Sequence, residues 1–109
     1  MSAVVYRVYD INGALIYIGS TRDLEARKAI HMADHASPIA FAMQMCADRW
    51  DTTEYATYDD AKAAEVAAIT AEAPFLNRQH NPTRWRRVAG QYVPVADLYE
   101  MAWKHRVSA

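Results

Sequence analysis

Asn12-Gly13 stands between two runs rich in β-branched and aromatic residues, Val4 to Tyr9 and Ala14 to Gly19. An Asn-Gly pair so flanked is the strongest short-range hairpin signal, because both residues accept the backbone angles of a tight reversal. A hairpin fixes which side chains share a face, so this feature constrains the N-terminal region most. If Asn12-Gly13 is a two-residue loop, Tyr17 opposes Val8 and Tyr6 opposes Gly19. Tyr6 and Tyr17 then lie on one face as diagonal neighbours, roughly 7–8 Å apart. Gly19, opposite Tyr6, leaves open space for a third group. A slip of one residue would send the two tyrosines to opposite faces.

Downstream, Thr21 and Asp23 signal a helix over about 23–34, on which Arg27 and His31 are i and i+4 and share a face. Ser37-Pro38 reads as an N-cap followed by proline at the first helical position, opening a short apolar helix to about Ala47. Trp50 to Tyr58 reads as a third strand. Asp59 or Asp60 then caps an Ala-rich helix to about Glu72, stopped by Pro74. Residues 75–93 look irregular or weakly extended. Pro94 to Val107 reads as a final helix with Val95, Leu98, Tyr99, Ala102 and Trp103 as its apolar set. The order β-β-α-α-β-α-α gives an α+β domain on a small, mostly antiparallel sheet. Residues 1–80 form the main unit, and 81–109 a basic C-terminal extension whose helix packs on it.

The 109 residues suit one domain, and 52% hydrophobic content allows a real core. No apolar run spans a membrane and no signal-peptide layout opens the chain. The single cysteine, Cys46, lies among Met43, Met45 and Ala47 and reads as a buried thiol, which fits a reducing, cytoplasmic setting. The net charge of −1 hides an asymmetry. Residues 1–77 hold 6 Lys/Arg against 11 Asp/Glu, a net of −5, and residues 78–109 hold 6 against 2, a net of +4. Arg84, Arg86 and Arg87, with Trp85 among them, give the basic end a surface for a polyanion, although a basic tail balancing an acidic body explains the charge as well.

Cleaving a phosphodiester needs an activated water, a cation for the developing charge, and help for the leaving oxygen. One carboxylate can anchor magnesium, which keeps most of its waters. Glu65, at the edge of a small-residue face with Ala61, Ala64, Ala68 and Ile69, is the candidate, although periodicity alone reads it as a surface residue pairing with Lys62. Arg27 offers the planar fork that suits a phosphate, and His31 could take a proton from water or from a tyrosine hydroxyl. Individually each has a bland reading: a solvated arginine, a structural histidine, ordinary sheet tyrosines. His31 and His35 are also i and i+4, but no His-Glu-x-x-His motif and no third ligand accompany them, which argues against zinc. Three scattered glycines make no phosphate loop, and no serine sits in a nucleophile elbow.

Together these residues resemble the GIY-YIG nuclease superfamily, from about Val4 to Asn77. Tyr6 matches the tyrosine of the first motif, with Val4-Val5 in place of Gly-Ile, and Tyr17-Ile18-Gly19 matches the second. Gly19-Ser20-Thr21-Arg22-Asp23-Leu24, followed by Arg27 and His31, looks like Gly-x-Thr-x-x-Leu-x-x-Arg-x-x-x-His. Glu65-x-x-x-Ile69-x-x-x-x-Pro74-x-x-Asn77 looks like the family's glutamate helix and terminal asparagine. The resemblance implies a three-stranded antiparallel sheet flanked by helices, and hydrolysis of DNA phosphodiesters with one Mg²⁺ or Mn²⁺ per site, with RNA left open. It implies that Glu65 binds the metal, Arg27 the scissile phosphate, and Tyr6 activates water with help from His31. Tyr17 would support the phosphate or water, and Asn77 would help shape the site.

Two further expectations stand beside this one. The acidic body motivates a nucleic-acid- or protein-binding module on the same scaffold without useful catalysis. In the nuclease reading the Arg84-Trp85-Arg86-Arg87 segment grips the backbone or stacks on a base, and the 94–107 helix could dock on a second copy or another protein.

Overall fold

The computed structural model describes residues 2–34, 37–77, 79–82, 85–88, 90–94 and 97. Strands β1 (Ala3–Tyr9) and β2 (Leu15–Thr21) form the expected hairpin, and β3 (Arg49–Tyr55) pairs antiparallel with the other side of β1. The sheet order β2-β1-β3 leaves β2 at an edge. Helices α1 (Leu24–Ala33), α2 (Pro38–Cys46) and α3 (Tyr58–Glu72) complete an α+β domain.

The hairpin turn differs from a two-residue Asn12-Gly13 loop. The loop is Ile11-Asn12-Gly13, closed by the Asp10 amide donating to the Ala14 carbonyl at 2.9 Å and the Gly13 amide donating to the Asp10 carbonyl at 3.0 Å. The Asp10 carboxylate accepts from the amides of both Asn12 and Ala14 at 2.9 Å, and Gly13 takes φ +81°. An aspartate that gathers two loop amides favours this longer turn over the tighter one. Such a loop alone would place Tyr17 opposite Arg7, with its side chain on the wrong face. A bulge corrects it: the register shifts between Tyr9↔Leu15 and Val8↔Tyr17, with Ile16 as the extra residue. Tyr6 therefore does oppose Gly19, and Val8 opposes Tyr17. The expected pairing is right at the site, through two offsets that cancel.

The sheet is covered on both faces. Tyr6, Val8 and Ile16 pack with Ala42, Met43 and Cys46 of α2 and with Leu76, while Ala3, Val5 and Ile18 pack with Ala61 and Ile69 of α3. Cys46 is buried, as its apolar neighbours suggested. Each helix has a side-chain cap that satisfies an orphan amide: Asp23 for α1, Ser37 for α2, and Thr57, one turn earlier than Asp60, for α3. Ala73 ends α3 in the left-handed region at φ 47°, ahead of Pro74. The chain then returns along the open edge of β2. The Leu76 amide donates to the Ile16 carbonyl at 2.8 Å, and the Asn77 side chain both accepts from the Ile18 amide and donates to its carbonyl at 2.8 Å. Asn77 thus replaces a neighbouring strand, and Asn81 holds it there by donating to the Pro74 and Asn77 carbonyls.

Beyond this, the stretch expected to be irregular or weakly extended contains a two-stranded ribbon, β4 (Trp85–Val88) paired antiparallel with β5 (Gln91–Pro94), with Gly90 at φ +84° between them. Gly90 supplies the reversal that the reading of this basic segment overlooked. Pro94 closes β5 and does not open a helix. The rest of the expected 94–107 helix lies outside the described residues, apart from Asp97. No helix among the described residues is long and apolar enough to cross a membrane.

Replacing Asn77 by Ala removes both partners of the buried Ile18 peptide groups. Urea unfolding should show a loss of about 2–4 kcal/mol, one desolvation penalty for each orphaned group. A loss below about 1 kcal/mol would mean that other groups satisfy this edge.

Candidate active site

Alternation along β2 sends side chains to both faces of the sheet, and because β2 is an edge strand those two sets can meet around its open side. Tyr6 and Tyr17 come from the α2 face. Ser20 opposes Val5 and so lies on the α3 face, where its hydroxyl donates to Glu65 Oε2 at 2.9 Å. Ala61, Glu65 and Ile69 are the buried residues of α3, spaced four apart on its inward stripe. Glu65 is only 8% exposed, so it is no ordinary surface glutamate. The alternative partner is present as well: Lys62 Nζ lies 2.8 Å from the same Oε2. Of the alternative reading the i,i+3 ion pair holds and the surface position does not.

These groups line one cavity of about 380 Å³ whose walls include Tyr6, Tyr17, Arg27, Glu65 and Asn77. His31 joins it through Tyr6, whose hydroxyl lies 3.0 Å from His31 Nε2. All six residues expected at the site are thus brought together, and the charges of Arg27 and Glu65 are also felt by Tyr6 and Tyr17. The basic segment is less informative. Trp85, Arg86 and Arg87 belong to β4, and Arg84 lies outside the described residues, as does His35.

Gly19 has a different reason from the one expected. A Cβ there would drive into Cζ and Oη of Tyr6, so the space opposite Tyr6 is filled by its own ring. Glycine lets that ring and its hydroxyl lie over the edge strand. The Tyr6 ring sits 6.1 Å from Tyr17 and 5.6 Å from Trp50 between centroids, and His31 packs edge-on to both tyrosines. Burial, and next the neighbouring Tyr17, push the Tyr6 phenol well above its ordinary range, with Arg27 opposing and Glu65 adding. Tyr17 is raised by burial and then by Glu65, against Arg27 and Lys62. His31 is lowered by burial first and then by Arg27, with Asp34 opposing. A neutral imidazole whose Nε2 is free of its proton can accept the Tyr6 O–H.

Sequence reasoning missed several contributors. Gln44 Nε2 donates to the carbonyls of His31 and Asp34, tying the end of α1 to α2 and fixing where His31 stands. Trp50 covers the Tyr6 and His31 rings from β3, and Ser20 and Tyr58 line the cavity. Only Ser20 carried a signal, as the variable letter between Gly19 and Thr21. Among the described residues no group of three or more His, Cys, Asp and Glu converges as a metal cluster. The donor set suits instead a hydrated hard cation on one carboxylate, since Glu65 Oε2 already carries a cation, the Lys62 ammonium.

The GIY-YIG catalytic domain family matches residues 2–85, and the chain belongs to that family. It is a nuclease family whose members generally use divalent metals, so nucleic acid is the implied class of substrate. No curated protein and no solved structure matches the chain.

The lowered His31 has a consequence for stability. The unfolded chain binds its proton near the ordinary value of about 6.5, and the folded chain only at lower pH. Between the two values the unfolded state holds more protons, so this contribution is complete above the unfolded value and is lost as pH falls through the folded one. Urea unfolding between about pH 7.5 and 5 should show that loss, and His31→Gln should reduce its slope in this window. An unchanged slope would show that other groups carry it.

Proposed function

We propose that the protein is a divalent-metal-dependent endonuclease that hydrolyses phosphodiester bonds in DNA, with the cavity at the β2 edge as its active site. The observation that carries this reading is the Tyr6–His31 hydrogen bond set beside Arg27 and Glu65 in one cavity. A proton route, a phosphate fork and a buried carboxylate are the three parts that the reaction requires.

Arg27 binds the scissile phosphate through its planar guanidinium and offsets the charge that builds on it. Tyr6 is held protonated by its surroundings, so it does not wait as a phenolate. It works as a relay: as its hydroxyl takes a proton from the attacking water, it gives its own to Nε2 of neutral His31. Trp50 and Tyr17 keep bulk water from this pair. Glu65 would hold the Mg²⁺ or Mn²⁺ ion, which supplies Lewis-acid stabilisation of the phosphate when bound. Asn77 keeps the edge of β2 in register, so that Tyr17 and Gly19 stay in place.

Purified protein should cleave DNA with magnesium or manganese and stop in chelator, and supercoiled, single-stranded and branched DNA, with RNA beside them, reveal the preferred substrate. Glu65→Gln and Arg27→Ala should each lower the cleavage rate by about 100-fold or more. Wild-type rates in both variants would remove this cavity from the reaction. Nucleic-acid binding that persists in chelator, with no cleavage of any substrate, would favour the binding module instead.

The Lys62 ammonium competes with any cation for Glu65 Oε2. Lys62→Met should therefore tighten Mn²⁺ binding about threefold to tenfold, a modest factor because Lys62 is 49% exposed and partly screened. Electron paramagnetic resonance titration of Mn²⁺ at pH 8 reads this directly, and Glu65→Gln should abolish the site. Weaker binding in Lys62→Met would show that the ammonium supports the site and does not compete for it.

A further inference from the structure

A strand cut at one phosphate continues past it, so a nuclease cavity must open onto a surface that accepts the next phosphate. Beside the cavity at the β2 edge lies a second hollow of about 310 Å³, whose walls include Arg22, Arg27, Ile30 and Tyr58. Arg27 and Tyr58 belong to both walls, so the two hollows abut across these side chains.

The charge pattern there is unusual for this body. Arg7 is paired with Glu72, Arg49 with Asp51 and Lys62 with Glu65, and Lys28 lies over the Trp50 ring. Arg22 and Arg27 make no ion pair among the described residues, although residues 1–77 hold 11 acids against 6 bases. One acid, Asp23, lines the same hollow, and its carboxylate accepts from the Ala26 amide as the cap of α1. Two arginines that make no ion pair among the described residues, lining one hollow of an acidic body, mark a place suited to an external anion.

Arg22 is also held in position. Its guanidinium carbon lies 4.7 Å from the centroid of the Tyr58 ring. An aromatic platform restrains a guanidinium without consuming its N–H donors, which stay available to a phosphate. Ala26 and Ile30 give the same hollow an apolar side against which a sugar can rest.

We infer that this hollow is a second phosphate subsite, in which Arg22, seated on Tyr58, binds the phosphate adjacent to the scissile one on the same nucleic-acid strand. The inference rests on the phosphodiesterase reading of the neighbouring cavity, and it is independent of the basic segment at Arg84 to Arg87.

The test uses the full chain in chelator, so that no cleavage intervenes, and a fluorescein-labelled single-stranded DNA oligonucleotide followed by anisotropy across a salt series. Arg22→Ala should weaken binding about tenfold at low salt and reduce the slope of log K against log salt by about 0.7, the share of one phosphate contact on a single strand. Arg22→Lys should keep the slope, because it keeps the charge. With metal present, Arg22→Ala should raise KM for the oligonucleotide and leave cleavage of bis(p-nitrophenyl) phosphate, which has no neighbouring phosphate, unchanged. Oligonucleotide binding with the same slope in wild type and Arg22→Ala overturns the subsite and leaves the cleavage reading standing. A wild-type chain that neither binds the oligonucleotide nor cleaves it overturns both.

Discussion

The site depends on β2 being an edge strand. Side chains on opposite faces of a sheet cannot normally cooperate, because the backbone layer separates them. Here the layer ends at β2, and Gly19 removes the side chain that would stop the Tyr6 ring from lying over that edge strand. The α2 face supplies the tyrosines and the imidazole, and the α3 face supplies Ser20, Lys62 and Glu65. An open edge carries a cost, since its peptide groups need partners. Leu76 and Asn77 provide them, and so the segment that closes the edge also closes the cavity.

Burial and charge then divide the work within a few ångströms. The ring cluster of Tyr6, Tyr17, Trp50 and His31 is poor in water, which raises the phenols and lowers the imidazole, so that the hydrogen bond between Tyr6 and His31 joins two neutral groups. On the other side of the edge, a carboxylate is held by an ammonium and a hydroxyl. Arg27 acts on every member of the ring cluster that titrates: it opposes the rise of both phenols and adds to the lowering of His31. In the proposed reading an acidic body meets a polyanion through such local cations, because the overall charge matters less than where the cations stand.

Much of this was legible in the chain. The hairpin, the three caps or their near neighbours, and the stripe that carries Glu65 all follow from local rules: turn residues, capping oxygens and spacing along a helix. The pairing of Tyr6 with Gly19 was read correctly although the loop was not, because the bulge at Ile16 undid the error introduced by Asp10. A bulge has no firm sequence signature, so local rules could not have found it. Of the β4–β5 ribbon the sequence shows only weakly extended character, because its strands are four residues each and a single glycine marks the turn.

By itself the sequence determined which groups were on offer: two tyrosines on adjoining strands, Arg27 and His31 one turn apart, Glu65 on a small-residue face, and a family pattern joining them. Each of these is set within a single element, where spacing alone decides the face. Tertiary structure decided what those groups touch. That Tyr6 meets His31 through the end of α1 held by Gln44, that Glu65 is shared by Ser20 and Lys62, and that Arg22 lies over the Tyr58 ring are facts about separate elements packed together. Burial and pairing are properties of neighbours distant in the chain, and a phenol or an imidazole takes its proton affinity from them and not from its own position in the sequence.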